Sequence, residues 1–342
     1  MRWLLLALAC LLANRLLALI HMPAGGFIGP MAVSIAYGVS IGGLRLPRAA
    51  FKLGQGVIGV LIAQTLTLGV LTQIVAAWPI MLLATLMTLA LSVAVGVGLV
   101  RYGGLPGSTA AWGTTPGAAA AMVAMAEEND ADPRIVAAMQ YVRVVAVVLV
   151  GALVSHFLGG TGSAGHPPTP WLASGMGWWQ MATTLATVAT GVWLFDRRLP
   201  AGALLGPVIL GCLLSLGGVI TISLPQPLLE LAYAALGVYV GLRFDRETVR
   251  IIARSLGALI VASLTLITLC ALSAGGIAWL MQTRFVTAYL GTSPGGLDSM
   301  TIIAVESHAD VGIVVALQTL RLFTVVMVGP AMARFVARFA RH

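Results

Sequence analysis

One segment occurs twice in this chain, and any fold it adopts must accommodate both copies. Residues 113–143 read GTTPGAAAAMVAMAEENDADPRIVAAMQYVR, and residues 291–321 read GTSPGGLDSMTIIAVESHADVGIVVALQTLR. The offset is constant at 178 residues from Pro116 to Pro294, from Asp132 to Asp310 and from Arg143 to Arg321, and 14 of the 31 positions are identical. Shared composition alone would give about 2 or 3 matches. The duplication reaches further. Pro23-Ala24-Gly25 with Gly29-Pro30 recurs as Pro200-Ala201-Gly202 with Gly206-Pro207, and Gly59 recurs as Gly237. The chain therefore reads as one unit repeated, residues 1–158 and 176–342, joined by a polar linker at 159–175 rich in Gly, Pro, Ser and Thr.

Composition says where such a unit can live. The chain is 59% hydrophobic and 9% charged, with a mean hydropathy of +0.99. A soluble domain carries about 25% charge, so the expected surroundings are a lipid bilayer. The net charge of +8 comes almost wholly from arginines in short loops and at segment ends. That pattern orients helices in membranes, and no basic stripe is available for nucleic acid. Cys10, Cys212 and Cys270 lie in separate apolar runs and read as packing residues.

Twelve apolar segments are legible, six per half: roughly 2–20, 24–42, 53–72, 78–100, 105–126 and 135–158, then 177–195, 200–220, 228–242, 255–281, 285–305 and 311–333. The first resembles a signal peptide, but Asn14 and Arg15 interrupt it and it has a counterpart at 177–195, so it is expected as a spanning helix. Equivalent loops carry opposite charge character. Loop 43–52 holds Arg45, Arg48 and Lys52, whereas 221–227 is uncharged. Loop 72–77 is uncharged, whereas 243–254 holds Arg243, Arg246, Arg250 and Arg254. Loop 21–23 offers only His21, whereas its counterpart holds Arg197 and Arg198. Positive loops remain cytoplasmic, so the halves are expected in opposite orientations.

Inversion needs an odd number of crossings per half, so one of the six segments must turn back. The fifth is broken by Leu105-Pro106-Gly107, Gly113 and Pro116-Gly117 in one half, and by Gly291 and Pro294-Gly295-Gly296 in the other. The sequence predicts an all-α polytopic membrane protein of two inverted-topology repeats. Each has five transmembrane helices plus one re-entrant or broken segment, and both termini are cytoplasmic. The alternative is twelve full crossings.

The chemistry lies in the duplicated segment. Thr115-Pro116-Gly117 and Ser293-Pro294-Gly295 read as helix starts, with Thr115 and Ser293 as N-caps and the prolines in the first turn. Opposed helix starts at the midplane could hold an anion or a carbonyl oxygen; a broken helix that only packs closely is the plainer reading. Gln140 with Arg143, and Gln318 with Arg321, are spaced to share one helical face. The arginines can pair with Asp132, Glu128, Asp310 and Glu306, and they can supply positive charge to an anionic ligand; the two readings are compatible. Asp298 has Ala120 as its counterpart. It suits a helix first turn, and with Asp132 and Asp310 it is a candidate for H+ or Na+ coupling. No other cofactor is expected, because His21, His156, His166, His308 and His342 are isolated.

At these residues the sequence resembles a known family. The stretches AWGTTPGAAAAMVAMAEENDADPRIVAAMQYVRV and TAYLGTSPGGLDSMTIIAVESHADVGIVVALQTLRLF, with LPRAAFKLGQGVIGVLIAQ in the first half, are similar to the duplicated modules of the AbrB family of bacterial inner-membrane proteins. This family is distinct from the soluble DNA-binding transition-state regulator of the same name. The resemblance implies a bacterial inner-membrane location. It also brings the family's descriptions: an ammonia monooxygenase or its regulator, or a regulator of gene expression. The residues supply neither copper nor iron ligand sets nor a DNA-binding module, so no enzymatic activity is expected. The architecture is similar to that of secondary transporters. A small anionic solute is the expected ligand, and a membrane-embedded sensor or regulator is the alternative. Gly54, Gly56 and Gly59 could serve either a homodimer or internal packing.

Overall fold

A computed structural model describes residues 2–102, 107–114, 122, 126–127, 131–158, 178–253 and 256–338. Thr115, Pro116, Gly117, Glu128 and the linker lie outside the described residues. Among those described, all regular structure is helical. Five segments are long and apolar enough to cross a bilayer: α1 (Arg2–Leu19), α5 (Trp78–Tyr102), α7 (Pro133–Leu158), α12 (Leu256–Met281) and the Val311–Gly329 stretch of α15 (Val311–Ala337). Around them are α2 (Gly25–Ser40), α3 (Arg48–Thr65), α4 (Leu68–Ala76), α6 (Gly107–Thr114), α8 (Trp178–Phe195), α9 (Gly202–Leu216), α10 (Gln226–Gly241), α11 (Arg246–Ile252), α13 (Phe285–Thr292) and α14 (Leu297–Glu306). The outward face of α1 is a ladder of exposed leucines (Leu4, Leu5, Leu8, Leu11, Leu12, Leu16). Such a surface is stable against lipid and costly in water.

The third segment differs from expectation. Instead of one span over 53–72, the chain bends by 90° between α3 and α4. Thr67 makes the bend by capping the second helix, its Oγ1 accepting from Val70 N at 3.3 Å. Gln64, Thr65 and Thr67 interrupt the apolar run at this corner, and the cap fixes where the second helix begins. The equivalent corner after α10 is capped by Asp245, which accepts from Thr248 N at 2.8 Å.

Small residues set the tightest crossings. A methyl group added at Gly59 would overlap the Leu204 carbonyl, and one added at Gly237 would overlap the Phe27 carbonyl. Gly211 lies against Ala63 in the same way that Gly241 lies against Ser34. These contacts make α3 run parallel to α9 and α2 parallel to α10. Gly54 packs on Ala232 and Leu236, and Gly56 on Val188 and Val192. The three glycines therefore serve packing within the chain, where close backbone approach replaces side-chain contact.

Polar contacts gather at one end of the bundle. Lys52 pairs with Asp196 at 2.6 Å and Arg134 with Glu247 at 3.0 Å. Arg246 Nε donates to Val39 O at 2.8 Å, and the Arg2 side chain lies beside Gly43.

Candidate functional site

The fifth segment of the second half is broken, as its Pro and Gly residues require, but the break is built differently from the expectation. Ser293 closes α13 as its C-cap, with φ −59 and ψ 137, and its N–H donates to Tyr289 O at 2.8 Å. The helix that follows starts four residues later at Leu297, with Gly296 as N-cap. Neither Ser293 nor Pro294 therefore begins a helix. The cause is steric: a residue before proline is pushed out of the helical region, and Ser293 is in the extended conformation that results. Its hydroxyl, fully buried, bonds none of the α14 amides.

Gln318 and Arg321 hold this break. Gln318 Nε2 donates to Leu290 O at 2.7 Å and to Ser293 O at 3.1 Å. Arg321 donates to Ser293 O, to Gly295 O at 2.6 Å and to Gln318 Oε1 at 2.6 Å. The helix spacing anticipated from sequence thus appears as one hydrogen-bonded unit, and that unit bonds the carbonyls of Leu290, Ser293 and Gly295 at the break.

A further bond shows the path of the segment. Thr287 Oγ1, near the start of α13, accepts from Asp310 N at 3.1 Å, just beyond the end of α14. The chain enters and leaves at the same end. Arg321 lies eleven residues along from Asp310, a rise of ~16 Å, or about half of a ~30 Å hydrocarbon layer.

The first half repeats these contacts where it is described. Thr109 Oγ1 accepts from Asp132 N at 3.2 Å. Gln140 Nε2 donates to Trp112 O at 3.2 Å, Arg143 Nη2 to Gln140 Oε1 at 2.5 Å and Arg143 Nη1 to Thr114 O at 3.5 Å. Arg143 also lines a cavity of about 20 Å³ with Gly113, Thr114, Met139 and Ser263, room for about one water. Arg143 and Arg321 are both buried.

The acidic candidates separate. Asp132 and Asp310 serve as helix N-caps: Asp132 Oδ1 accepts from Arg134 N at 2.8 Å, and Asp310 Oδ1 from Ile313 N at 3.1 Å. Glu306 turns away from Arg321, and its Oε2 accepts from Ala24 N at 2.8 Å. An ion pair between Arg321 and Asp310 or Glu306 is therefore replaced by bonds to neutral carbonyls, because the arginine is already within reach of the break. Asp298 joins the site in the first turn of α14. Its Oδ2 accepts from Gln55 Nε2 at 2.9 Å, while its Oδ1 is buried without a partner.

Two groups of residues escaped the sequence reading. Thr109 and Thr287 stand at the repeat offset of 178, four residues ahead of Gly113 and Gly291; extending the repeat window by four positions would have exposed them. Gln55 has Tyr233 as its counterpart, just as Asp298 has Ala120, so the only signal for this contact is that both members break the repeat.

With this geometry in place, comparison with known proteins is informative. The family model described as Transition state regulatory protein AbrB matches residues 28–337. The chain belongs to the AbrB family. It is 42% identical over 341 residues, 99% of this chain and 98% of the relative, to the Escherichia coli (strain K12) protein named "Putative regulator AbrB". It is 27% identical over 303 residues, 84% of this chain and 79% of the relative, to the Bacillus subtilis (strain 168) protein named "Uncharacterized protein YhjN". No solved structure matches. An all-helical AbrB chain of this length, with several membrane-capable helices, is not the small soluble protein of the same name.

Proposed function

We propose that the chain is a secondary transporter of a small anionic solute in the bacterial inner membrane, built from two inverted repeats that meet at their broken fifth segments. The observation that carries this reading is Arg321. Its charge lies ~16 Å along α15 from Asp310, which corresponds to about half of a ~30 Å hydrocarbon layer, and is solvated by neutral carbonyls and one amide. Cationic charge at that depth is expensive and marks a solute or ion path. Arg143 adds a second guanidinium beside a small cavity, and carbonyls at broken helices are how transporters of this architecture build midplane sites.

Inversion is supported by the contacts of α2 and α3. The loop 41–47 sends α3 back antiparallel to α2, and α2 runs parallel to α10, the counterpart of α3. The end that gathers Arg2, Lys52, Arg134 and Arg246 is then the cytoplasmic face, and the second fifth segment opens to the opposite face. Asp298, with one oxygen held by Gln55 and the other unpartnered, is the coupling carboxylate of this scheme. No catalytic step is assigned to any residue.

The test is flux of small carboxylates and inorganic anions into proteoliposomes. Uptake should occur with the parent protein and collapse in Arg143→Lys and Arg321→Lys variants that still elute as folded protein. Parental uptake in both variants would make the arginines purely structural. One observation favours a sensor or regulator instead: the relative named as a regulator matches over almost its whole length. That reading predicts saturable anion binding without flux.

A further inference from the structure

Two loops far apart in sequence meet at the basic end of the bundle. Lys52, one turn into α3, pairs with Asp196, the residue after α8, at 2.6 Å. That bond ties the start of α3 to the turn between α8 and α9, which is closed by Arg198 N donating to Phe195 O at 3.0 Å. Arg48 stands four residues before Lys52 and so shares its face of α3. Arg197 and Arg198 follow Asp196 directly. All three arginines are exposed, and among the described residues none of them makes an ion pair. Three cations are therefore unmatched, because the carboxylate beside them is taken by Lys52.

An independent feature says what lies against this cluster. The outward face of α8 carries Trp178, Met181, Leu185 and Trp193, all exposed and at helical spacing. An apolar stripe of this kind is stable against lipid. Exposed tryptophans stand at both of its ends, as they do at the two boundaries of a bilayer. Trp193 is 82% exposed and lies four residues before Arg197. The arginines thus begin where the hydrocarbon layer ends, at the depth of phospholipid phosphates. Basic residues that only orient helices need no such convergence of separate loops. The cluster also occurs once in the chain: the repeat counterparts of Arg48 and Lys52 are Gln226 and Glu230, and those of Arg197 and Arg198 are Ile20 and His21.

We infer that this edge binds the headgroup of an anionic phospholipid. Arg48, Arg197 and Arg198 donate to its phosphate oxygens, and its acyl chains lie along the α8 stripe below Trp193. A zwitterionic lipid fits less well, because its ammonium group enters the field of three unmatched cations. Free phosphate meets the same donors but gains nothing from the stripe. Binding here does not depend on anion transport at the break.

The test is titration of the full-length protein in dodecyl maltoside with dioleoyl-phosphatidylglycerol and with dioleoyl-phosphatidylcholine, read as one-to-one adducts by native mass spectrometry. Phosphatidylglycerol should bind at least about tenfold more tightly. Arg197→Gln and Arg198→Gln should each weaken it about fivefold, and the double variant about thirtyfold. Both side chains are exposed, so the variants should melt like the parent in phosphatidylcholine nanodiscs. Arg284→Gln, which removes an exposed arginine at the start of α13, should bind phosphatidylglycerol like the parent. Equal affinity for the two lipids, parental affinity in the double variant, or an equal loss in Arg284→Gln would each overturn the assignment. Displacement of phosphatidylglycerol by millimolar inorganic phosphate would also overturn it, in favour of a free anion.

Discussion

The two ends of α14 use polar groups in opposite ways. At its start, one guanidinium is matched by the carbonyls of Ser293 and Gly295 and the amide oxygen of Gln318. At its end, the exposed Glu306 carboxylate lines a cavity with Glu230, and neither makes an ion pair among the described residues. The ten residues between span only ~15 Å. A positive group in the interior is held rigidly by the backbone it stabilises, whereas the negative groups nearer the surface are exposed or half-exposed. The difference teaches that a sealed charge is matched by fixed partners of the fold, whereas an exposed one needs none.

The comparison breaks most visibly at Arg321. An Arg321→Ala substitution leaves two oxygens, Gly295 O and Gln318 Oε1, short of a donor, each costing about 1–3 kcal/mol, so the variant should lose its folded peak in size-exclusion chromatography or melt far below the parent. Glu230→Gln, at the other end, should melt like the parent. Equal melting of the two variants would mean that the break does not depend on its clamp.

A smaller effect is expected where the repeats cross. Gly59→Leu and Gly237→Leu each force a side chain into a carbonyl of the partner helix. Each should cost about 1–3 kcal/mol, and the two losses should be similar in thermal melts. A large inequality would show that the equivalent crossings carry unequal loads.

The smallest lies outside the membrane helices, at the cap of α11. The Thr248 amide holds the Asp245 carboxyl below the usual carboxylate range. A depressed folded-state value means that the stabilisation is present above the unfolded value of about 4 and lost as pH falls through the folded one. Asp245→Ala should therefore lower the melting temperature by an amount equivalent to about 0.5–2 kcal/mol at neutral pH, and the gap should close in acid. A gap that persists in acid would assign the loss to packing.

Much of the fifth segment was legible in the sequence, because its signals are local. The Pro-Gly pair breaks a helix wherever it stands, and Gln and Arg three apart share a face in any helix. The bend between α3 and α4 was not legible, because it rests on one Thr67 side chain, and the short polar interruption of Gln64, Thr65 and Thr67 is no stronger than those that long apolar helices carry elsewhere in the chain. The role of Ser293 was misjudged for a related reason: an N-cap and a pre-proline C-cap use the same residue types, and only the backbone angles distinguish them. The acid cavity was invisible because Asn14, Glu230 and Glu306 come from separate helices. No spacing rule connects them, and the repeat hides rather than reveals a feature present in one copy.

The central claim is that α13 and α14 dip to mid-bilayer and return. Gln282 and His308 flank this segment and are both exposed. With Cys10, Cys212 and Cys270 replaced by alanine, Gln282→Cys and His308→Cys should each be labelled by a membrane-impermeant maleimide added to the periplasmic side of intact cells, while Arg134→Cys should label only after permeabilisation. Labelling of positions 282 and 308 from opposite sides would mean that the segment crosses the membrane, and the re-entrant site would be lost with it.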